Sequence, residues 1–281
     1  MNLQTIKTED KIDFKNKNEP YLVKNYAKNW KAYKDWSFEY LKNLNSDLSV
    51  NTILGNYSEK MEIVPLKFKD YIEKVISQET KSYLAVFHLF KAFPQLKEHI
   101  NYENVKKNSV HCNILSWIGP KGAITGFHAD WSENINISIK GKKNFYLVSP
   151  KYNEFMYPSK KFERATILSN VNLKDVDENK FPLFKKAKIT KVILEEGDAL
   201  YIPRGWWHYA ESLTPTINVS FHYWNLFNFF RDMVIEISKM LLHNIGLYKK
   251  YNCTCHSYNE KGERFVRSKF MPQNILKIKR D

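Results

Sequence analysis

The chain has 281 residues, 43% of them hydrophobic and 15% aromatic, which is enough apolar material for one sizeable core and excludes a disordered chain. Its 44 Lys and Arg against 30 Asp and Glu give a formal net charge of +14; this favours acidic partners and keeps nucleic acid open as one, although no dense basic helix concentrates the charge. Three cysteines are too few for a disulfide framework, and no apolar window reaches the roughly 18 residues a membrane span needs, so a soluble, intracellular protein is expected, cytoplasmic, nuclear or both.

In chain order, residues 1–19 are polar and aperiodic and read as a flexible arm. Order is expected from Pro20, with one domain over 20–224 and a C-terminal helix and basic tail over 225–281. Tyr21 to Val23 reads as a short strand, and Asp35 to Leu44 as an amphipathic helix in which Trp36, Tyr40 and Leu41 recur at helical spacing. A second helix is expected from Pro65 to Ile76. The aromatic run SYLAVFHLF, Ser82 to Phe90, is strand or buried helix, and periodicity does not separate the two.

Beyond residue 110 short β-like runs alternate with turn signals: NILSWIG, Pro120-Lys121-Gly122, AITGFHAD, NINISI, Gly141 and NFYLVSP. Residues 151–188 read as a helix followed by a long loop. KVILEE, ALYIP, WWHYAES and TINVSFHYW then resume the strand pattern, and this spacing predicts an antiparallel sandwich or barrel. From 225 to 246 the pattern is helical, with Leu226, Phe229, Phe230, Met233, Val234, Ile237, Met240 and Leu241 forming an apolar stripe. That stripe either packs on the barrel or forms a homodimer interface.

The pair His128 and Asp130 stands one residue apart on an expected strand, where residues i and i+2 face the same side. A His-x-Asp pair alone is a weak signal. His208, on a neighbouring part of the same barrel, supplies a third ligand, and two imidazoles plus one carboxylate leave open positions of the kind used by non-haem iron(II) oxygenases. A structural zinc site would want thiolates or more histidines.

The other histidines fit a metal less well. His88 and His243 read as core or edge residues, and His99 and His111 have no partner at ligand spacing. His222 faces either the cavity or the packed side. Cys253, Cys255 and His256 form a CTCH cluster that reads as plain thiols. An oxygenase of this type takes a second acid, and a dicarboxylate such as 2-oxoglutarate needs a cation inside the barrel. Lys143 is the candidate, with the Thr125 hydroxyl nearby; its competing reading is a solvated lysine in KGKK.

The runs WIGPKGAITGFHAD, IKGKKNFYLVSP, FPLFKKA and YIPRGWWHYAES, in this order, resemble the JmjC domain of the cupin superfamily. The similarity spans Pro20 to Trp224 and is strongest to the small protein hydroxylases, the HIF asparaginyl hydroxylase and the JmjC arginyl hydroxylases. It implies a mainly β fold with flanking helices, a double-stranded β-helix (jelly-roll) core, and Fe(II) held by His128, Asp130 and His208. By the same resemblance Lys143 pairs with the distal carboxylate of 2-oxoglutarate, helped by Thr125 and Tyr83, while Asn134 and Ser220 stand beside the cosubstrate. Ala85, Ser220 and His222 replace a glutamine, an asparagine and a tryptophan of the asparaginyl hydroxylase, and Trp131 after the aspartate is unusual. The expected activity is hydroxylation of a side chain in a protein or peptide. N-methyl-lysine demethylation, RNA or tRNA hydroxylation and a catalytically silent cupin binding module are the alternatives.

Overall fold

The computed structural model describes residues 3–7, 14, 18–44, 47–54, 62–250, 252–253, 256–258 and 264–266. The N-terminal part contains β1 (Gln4–Lys7), β2 (Tyr21–Lys24), α1 (Lys31–Asp35), α2 (Phe38–Lys42), β3 (Ser49–Leu54), β4 (Glu62–Lys67), α3 (Phe68–Ile76), β5 (Leu84–Phe87), α4 (Leu89–Ala92) and α5 (Glu103–Lys106). The barrel strands follow: β6 (His111–Gly119), β7 (Ile124–Asp130), β8 (Glu133–Lys140), β9 (Lys143–Val148), β10 (Thr166–Leu168), β11 (Ile189–Leu194), β12 (Ala199–Ile202), β13 (Trp207–Ser212) and β14 (Thr216–Trp224). Helix α6 (Leu226–Asn244) and a small hairpin of β15 (His256–Tyr258) and β16 (Arg264–Val266) close the order.

Two sheets carry the fold. One has seven strands in the order β1-β2-β12-β8-β14-β6-β5, and the other five in the order β10-β7-β13-β9-β11. Their facing sides share one apolar cluster, in which Leu200 and Ile202 of the larger sheet meet Phe145, Leu147 and Ala210 of the smaller. This is the jelly-roll core. The back of the larger sheet is covered by the N-terminal helices, so Ile135, Ile137, Ile139, Val219 and Phe221 pack with Trp30, Trp36, Phe68 and Tyr71. Strands β8 and β14 are therefore buried on both faces, and their alternate residues, Asn134, Asn136 and Ser138 with Asn218, Ser220 and His222, point the other way, into the barrel.

Several elements differ from the sequence pattern. Residues 4–7 pair in parallel with Tyr21–Lys24, and Phe14 is fully buried with its carbonyl accepting the Tyr223 hydroxyl at 2.7 Å; the expected arm is ordered at these points. The helix expected over Asp35 to Leu44 is two short helices, because Trp36 turns extended to bury its ring and Ser37 caps the second, its hydroxyl accepting from the Tyr40 amide. Pro65 sits in β4 opposite Asn51, so α3 begins only at Phe68. The helix expected after residue 151 is a 3-10 segment, Pro150–Met156, and the loop behind it contributes β10 against β7. The run from Ser82 resolves into strand β5 followed by helix α4.

The α6 stripe is turned away from the barrel. The buried residues of this helix are Asp232 and His243. Asp232 is clamped by both guanidinium nitrogens of Arg204, which also donates to the Trp131 carbonyl, and the His243 ring packs on Phe162. Phe227 is 73% exposed and Val234 60%, and Phe230, Ile237 and Leu241 are exposed beside them. An ion pair therefore selects the docked face, in place of the apolar packing that the periodicity suggests.

The turn from β8 to β9 depends on Gly141. Its φ is +76°, and a Cβ there would stand 2.0 Å from the Pro215 carbonyl oxygen. Gly141→Ala is expected to lower the unfolding free energy by about 1–3 kcal/mol, read as a lower urea midpoint at unchanged slope. An unchanged midpoint contradicts this turn geometry.

Candidate metal centre and cosubstrate slot

His128 and Asp130 come from β7 and His208 from β13, where His208 stands directly opposite His128 in the antiparallel ladder. The two rings are 4.0 Å apart between centroids. One ligand atom from each of the three residues lies within 4.8 Å of the other two. The strand pairing thus brings together groups 80 positions apart in the chain.

The imidazoles are held in a defined state. His128 Nδ1 is 2.8 Å from the Gly126 carbonyl oxygen and His208 Nδ1 is 3.0 Å from that of Trp206. A carbonyl can only accept, so each Nδ1 carries a proton, and the neutral ring then offers its Nε2 lone pair, the form a metal requires. Burial, reinforced by the neighbouring His128, pushes the His208 pKa down to about 3. Burial would raise the Asp130 carboxyl, but the facing His128, His208 and His222 hold it below the usual carboxylate range. The Asn134 amide also donates to Asp130 Oδ2 at 3.3 Å. The result is a carboxylate beside two imidazole nitrogens, a set suited to a borderline divalent ion such as Fe(II).

Lys143 opens β9, and it is buried rather than solvated, with 3% exposure. Its ammonium donates to the Tyr83 hydroxyl at 2.7 Å, and no carboxylate among the described residues pairs with it. Burial drives its pKa down to about 7. Tyr83, its own hydroxyl pushed upward by burial, is also hydrogen-bonded to Thr125. Thr125 lies three residues before His128, an odd spacing that would place it on the opposite side of a regular strand. A register shift in the β7–β13 ladder brings Thr125 opposite Ala210 while His128 stays opposite His208, so both face inward.

Between these groups run the polar residues of β8 and β14. The Asn136 amide donates to Asn134 Oδ1 at 3.0 Å, while the Ser220 hydroxyl and both amide atoms of Asn218 are buried without a partner. Unsatisfied buried polar atoms on β14 and a buried lysine at the start of β9 fit a bound polar anion that supplies the missing partners. The residues present therefore suit both a divalent metal and a dicarboxylate.

Two residues of the slot were not assigned from sequence. Asn218 and His222 follow from the same alternation that turns Ser220 inward. His222 Nδ1 lies 3.6 Å from Asp130 Oδ2, so of its two expected orientations the cavity is the one observed. The remaining histidines have other duties: His99 accepts from the Trp36 indole, and His111 packs between Trp224 and Phe229. Of the CTCH cluster, Cys253 bridges to Phe162, and Cys255 and the His256 side chain lie outside the described residues.

A family model for a cupin-like domain matches residues 8–229. The chain is 31% identical over 238 residues to JmjC domain-containing protein D of Dictyostelium discoideum, covering 75% of this chain and 53% of that protein. It is 31% identical over 217 residues to lysine-specific demethylase 8 of Xenopus tropicalis, with 72% and 47% covered. Against lysine-specific demethylase JMJ30 of Arabidopsis thaliana it is 31% identical over 221 residues, with 73% and 50% covered. The chain spans about half the length of these relatives. By its jelly-roll core and by sequence along most of its length, the chain belongs to the cupin-like family of JmjC domain proteins.

Proposed function

We propose that this protein is an Fe(II)- and 2-oxoglutarate-dependent dioxygenase that hydroxylates an amino-acid side chain of an intracellular protein. The observation that carries the reading is the buried Lys143 ammonium, which has no carboxylate paired with it among the described residues and lies in the same barrel as His128, Asp130 and His208. Bound together, the iron and 2-oxoglutarate use dioxygen to supply an oxidant strong enough to break a C–H bond.

The chain's own residues prepare that chemistry. His128 and His208 offer Nε2 because their Nδ1 protons are tied to backbone carbonyls, and Asp130 stays anionic between them. Lys143 neutralises the distal carboxylate, with Tyr83 and Thr125 holding the ammonium in place and Asn134 and Ser220 lining the slot. Phe145, Leu147, Leu200 and Ile202 form an apolar wall that excludes water. The side chains of His128 and Asp130 are 16% and 13% exposed, while His208 and Lys143 are each 3% exposed. Substrate therefore approaches over His128 and Asp130, and cosubstrate lies deeper.

The names of two relatives support a second reading, demethylation of N-methyl-lysine, in which the methyl carbon is the one hydroxylated. Hydroxylation of RNA remains attached to the net charge of +14. The exposed stripe of α6, with Phe227, Phe230, Val234, Ile237 and Leu241 spaced three and four apart, supports a homodimer through this helix.

With Fe(II) and 2-oxoglutarate the protein is expected to form succinate. His128→Ala should cut that rate by at least about 100-fold, since losing a ligand exceeds losing a ligand's outer partner. Incubation with protein extracts, methyl-lysine peptides and RNA separates the readings: gain of one oxygen on a peptide supports the first, loss of a methyl the second, and oxygen on RNA alone overturns both.

Lys143→Met should strongly weaken 2-oxoglutarate binding yet raise the melting temperature by about 2–4 °C or more, because it removes an unpaired buried charge. The folded Lys143 pKa, about 7, lies below its ordinary 10.5. The unfolded chain thus binds more protons across that window, and the wild type gains stability as pH rises through it. The advantage of the variant in thermal denaturation should shrink between those values; a constant gap contradicts the assignment. Phe230→Asp with Val234→Asp should turn a dimer into a monomer in sedimentation equilibrium, and a monomeric wild type at micromolar concentration removes the dimer reading.

A further inference from the structure

His222 is an imidazole at a position where the asparaginyl hydroxylase that the chain resembles carries an indole, and its ring nitrogen lies close to the Asp130 carboxylate. It extends the inward row Asn218, Ser220, His222 and stands opposite Asn134 in the β14–β8 ladder. Its Nδ1 lies 3.1 Å from the hydroxyl of the buried Ser132 and 3.6 Å from Asp130 Oδ2. The ring is tilted against Trp117 at 5.8 Å between centroids. Its Nε2 is buried without a partner.

Asp130 Oδ2 is thus surrounded on three sides: by the Asn134 amide at 3.3 Å, by His208 Nε2 at 3.6 Å and by His222 Nδ1 at 3.6 Å. Asn134 and His222 approach from the larger sheet, and His208 from the smaller. Ser132, two residues beyond Asp130, ties the imidazole to the turn that follows the carboxylate's strand.

We propose that His222 is a positioning residue for the Asp130 carboxylate: its Nδ1–H, steadied by the Ser132 hydroxyl oxygen as acceptor, faces Asp130 Oδ2 across 3.6 Å and keeps that carboxylate turned toward His128 and His208, which raises the affinity of the three-residue site for a divalent metal. It acts through Asp130 and is not itself a ligand. The inference rests on the metal-binding part of the proposed function and does not depend on the reaction or the substrate.

The test is the affinity for Mn(II), read under nitrogen from the electron paramagnetic resonance signal of the unbound ion, for wild type, His222→Phe, His222→Gln, Ser132→Ala and His128→Ala. His222→Phe should weaken Mn(II) binding by about 10-fold, the usual effect of removing an outer partner of a metal ligand. His222→Gln, which keeps a hydrogen-bonding group, should stay within about threefold of wild type, and Ser132→Ala should fall between the two. Wild-type affinity in His222→Phe overturns the proposal. So does an equal loss in the Gln and Phe variants, which signals packing alone. A loss matching His128→Ala also overturns it by making His222 a ligand. Should His222→Phe not fold, the Gln and Ser132→Ala results decide between the same outcomes. Mn(II) binding needs no turnover, so a protein that binds the ion through His128 yet forms no succinate sinks the oxygenase reading and leaves this one standing. A wild type that binds no Mn(II) sinks both.

Discussion

A buried ammonium with no carboxylate paired to it among the described residues is the constraint on which the interior is built. Lys143 is sealed between the two sheets with a phenol as its recorded hydrogen-bond partner, and burial alone brings its pKa to about 7. Such a group opposes folding unless something it binds compensates for it. Around it the barrel is neither fully apolar nor internally satisfied: Ser220 and Asn218 have buried polar atoms waiting for partners, while Tyr83 and Thr125 fix the ammonium's place. Such an arrangement suits an anion, whose binding would offset the local cost of the buried cation and the unpartnered polar atoms.

The two faces of β8 and β14 explain how one fold accommodates both a dry core and this polar slot. Ile135, Ile137, Ile139, Val219 and Phe221 drive the larger sheet onto the N-terminal helices. The intervening Asn and Ser residues need no such packing and line the interior. A shift of one residue in the β14–β8 register would exchange the faces, burying asparagines against Trp36 and Phe68 and filling the slot with isoleucine. The core therefore sets the register, and the register places the site. The same holds in the smaller sheet, where the opposition of His128 and His208 follows from strand pairing and the local shift turns Thr125 inward.

Much of this was legible in the sequence. The strands β6 to β9 and β11 to β14 are short β-like runs separated by Gly and Pro turn signals, while β10 falls in a stretch that reads as loop, and the HxD pair at the end of one such run announces a common face. Lys143 was legible as a candidate, although its burial was not, because KGKK looks the same whether its last lysine points in or out. Other features lie beyond local pattern. The break at Trp36-Ser37 reflects a ring that buries better outside the helix. Gln4–Lys7 become a strand only because β2 offers an edge. The docked side of α6 is chosen by Arg204 and Asp232, distant in sequence, against the pull of an apolar stripe. His222 was undecided because a residue on a strand buried on both faces gives no polarity signal about its direction.

The most direct test of the account is the proton uptake that accompanies binding of 2-oxoglutarate to the Mn(II)-loaded protein. It is measured by calorimetry at about pH 8 in buffers of differing ionisation enthalpy. Lys143, mostly neutral above its value of about 7, must become charged to meet the distal carboxylate, so close to one proton should be taken up per molecule bound, and none by Lys143→Met at any concentration where binding is still detected. Tight binding with no proton uptake, or the same uptake in the variant, would contradict the claim that this buried ammonium receives the cosubstrate.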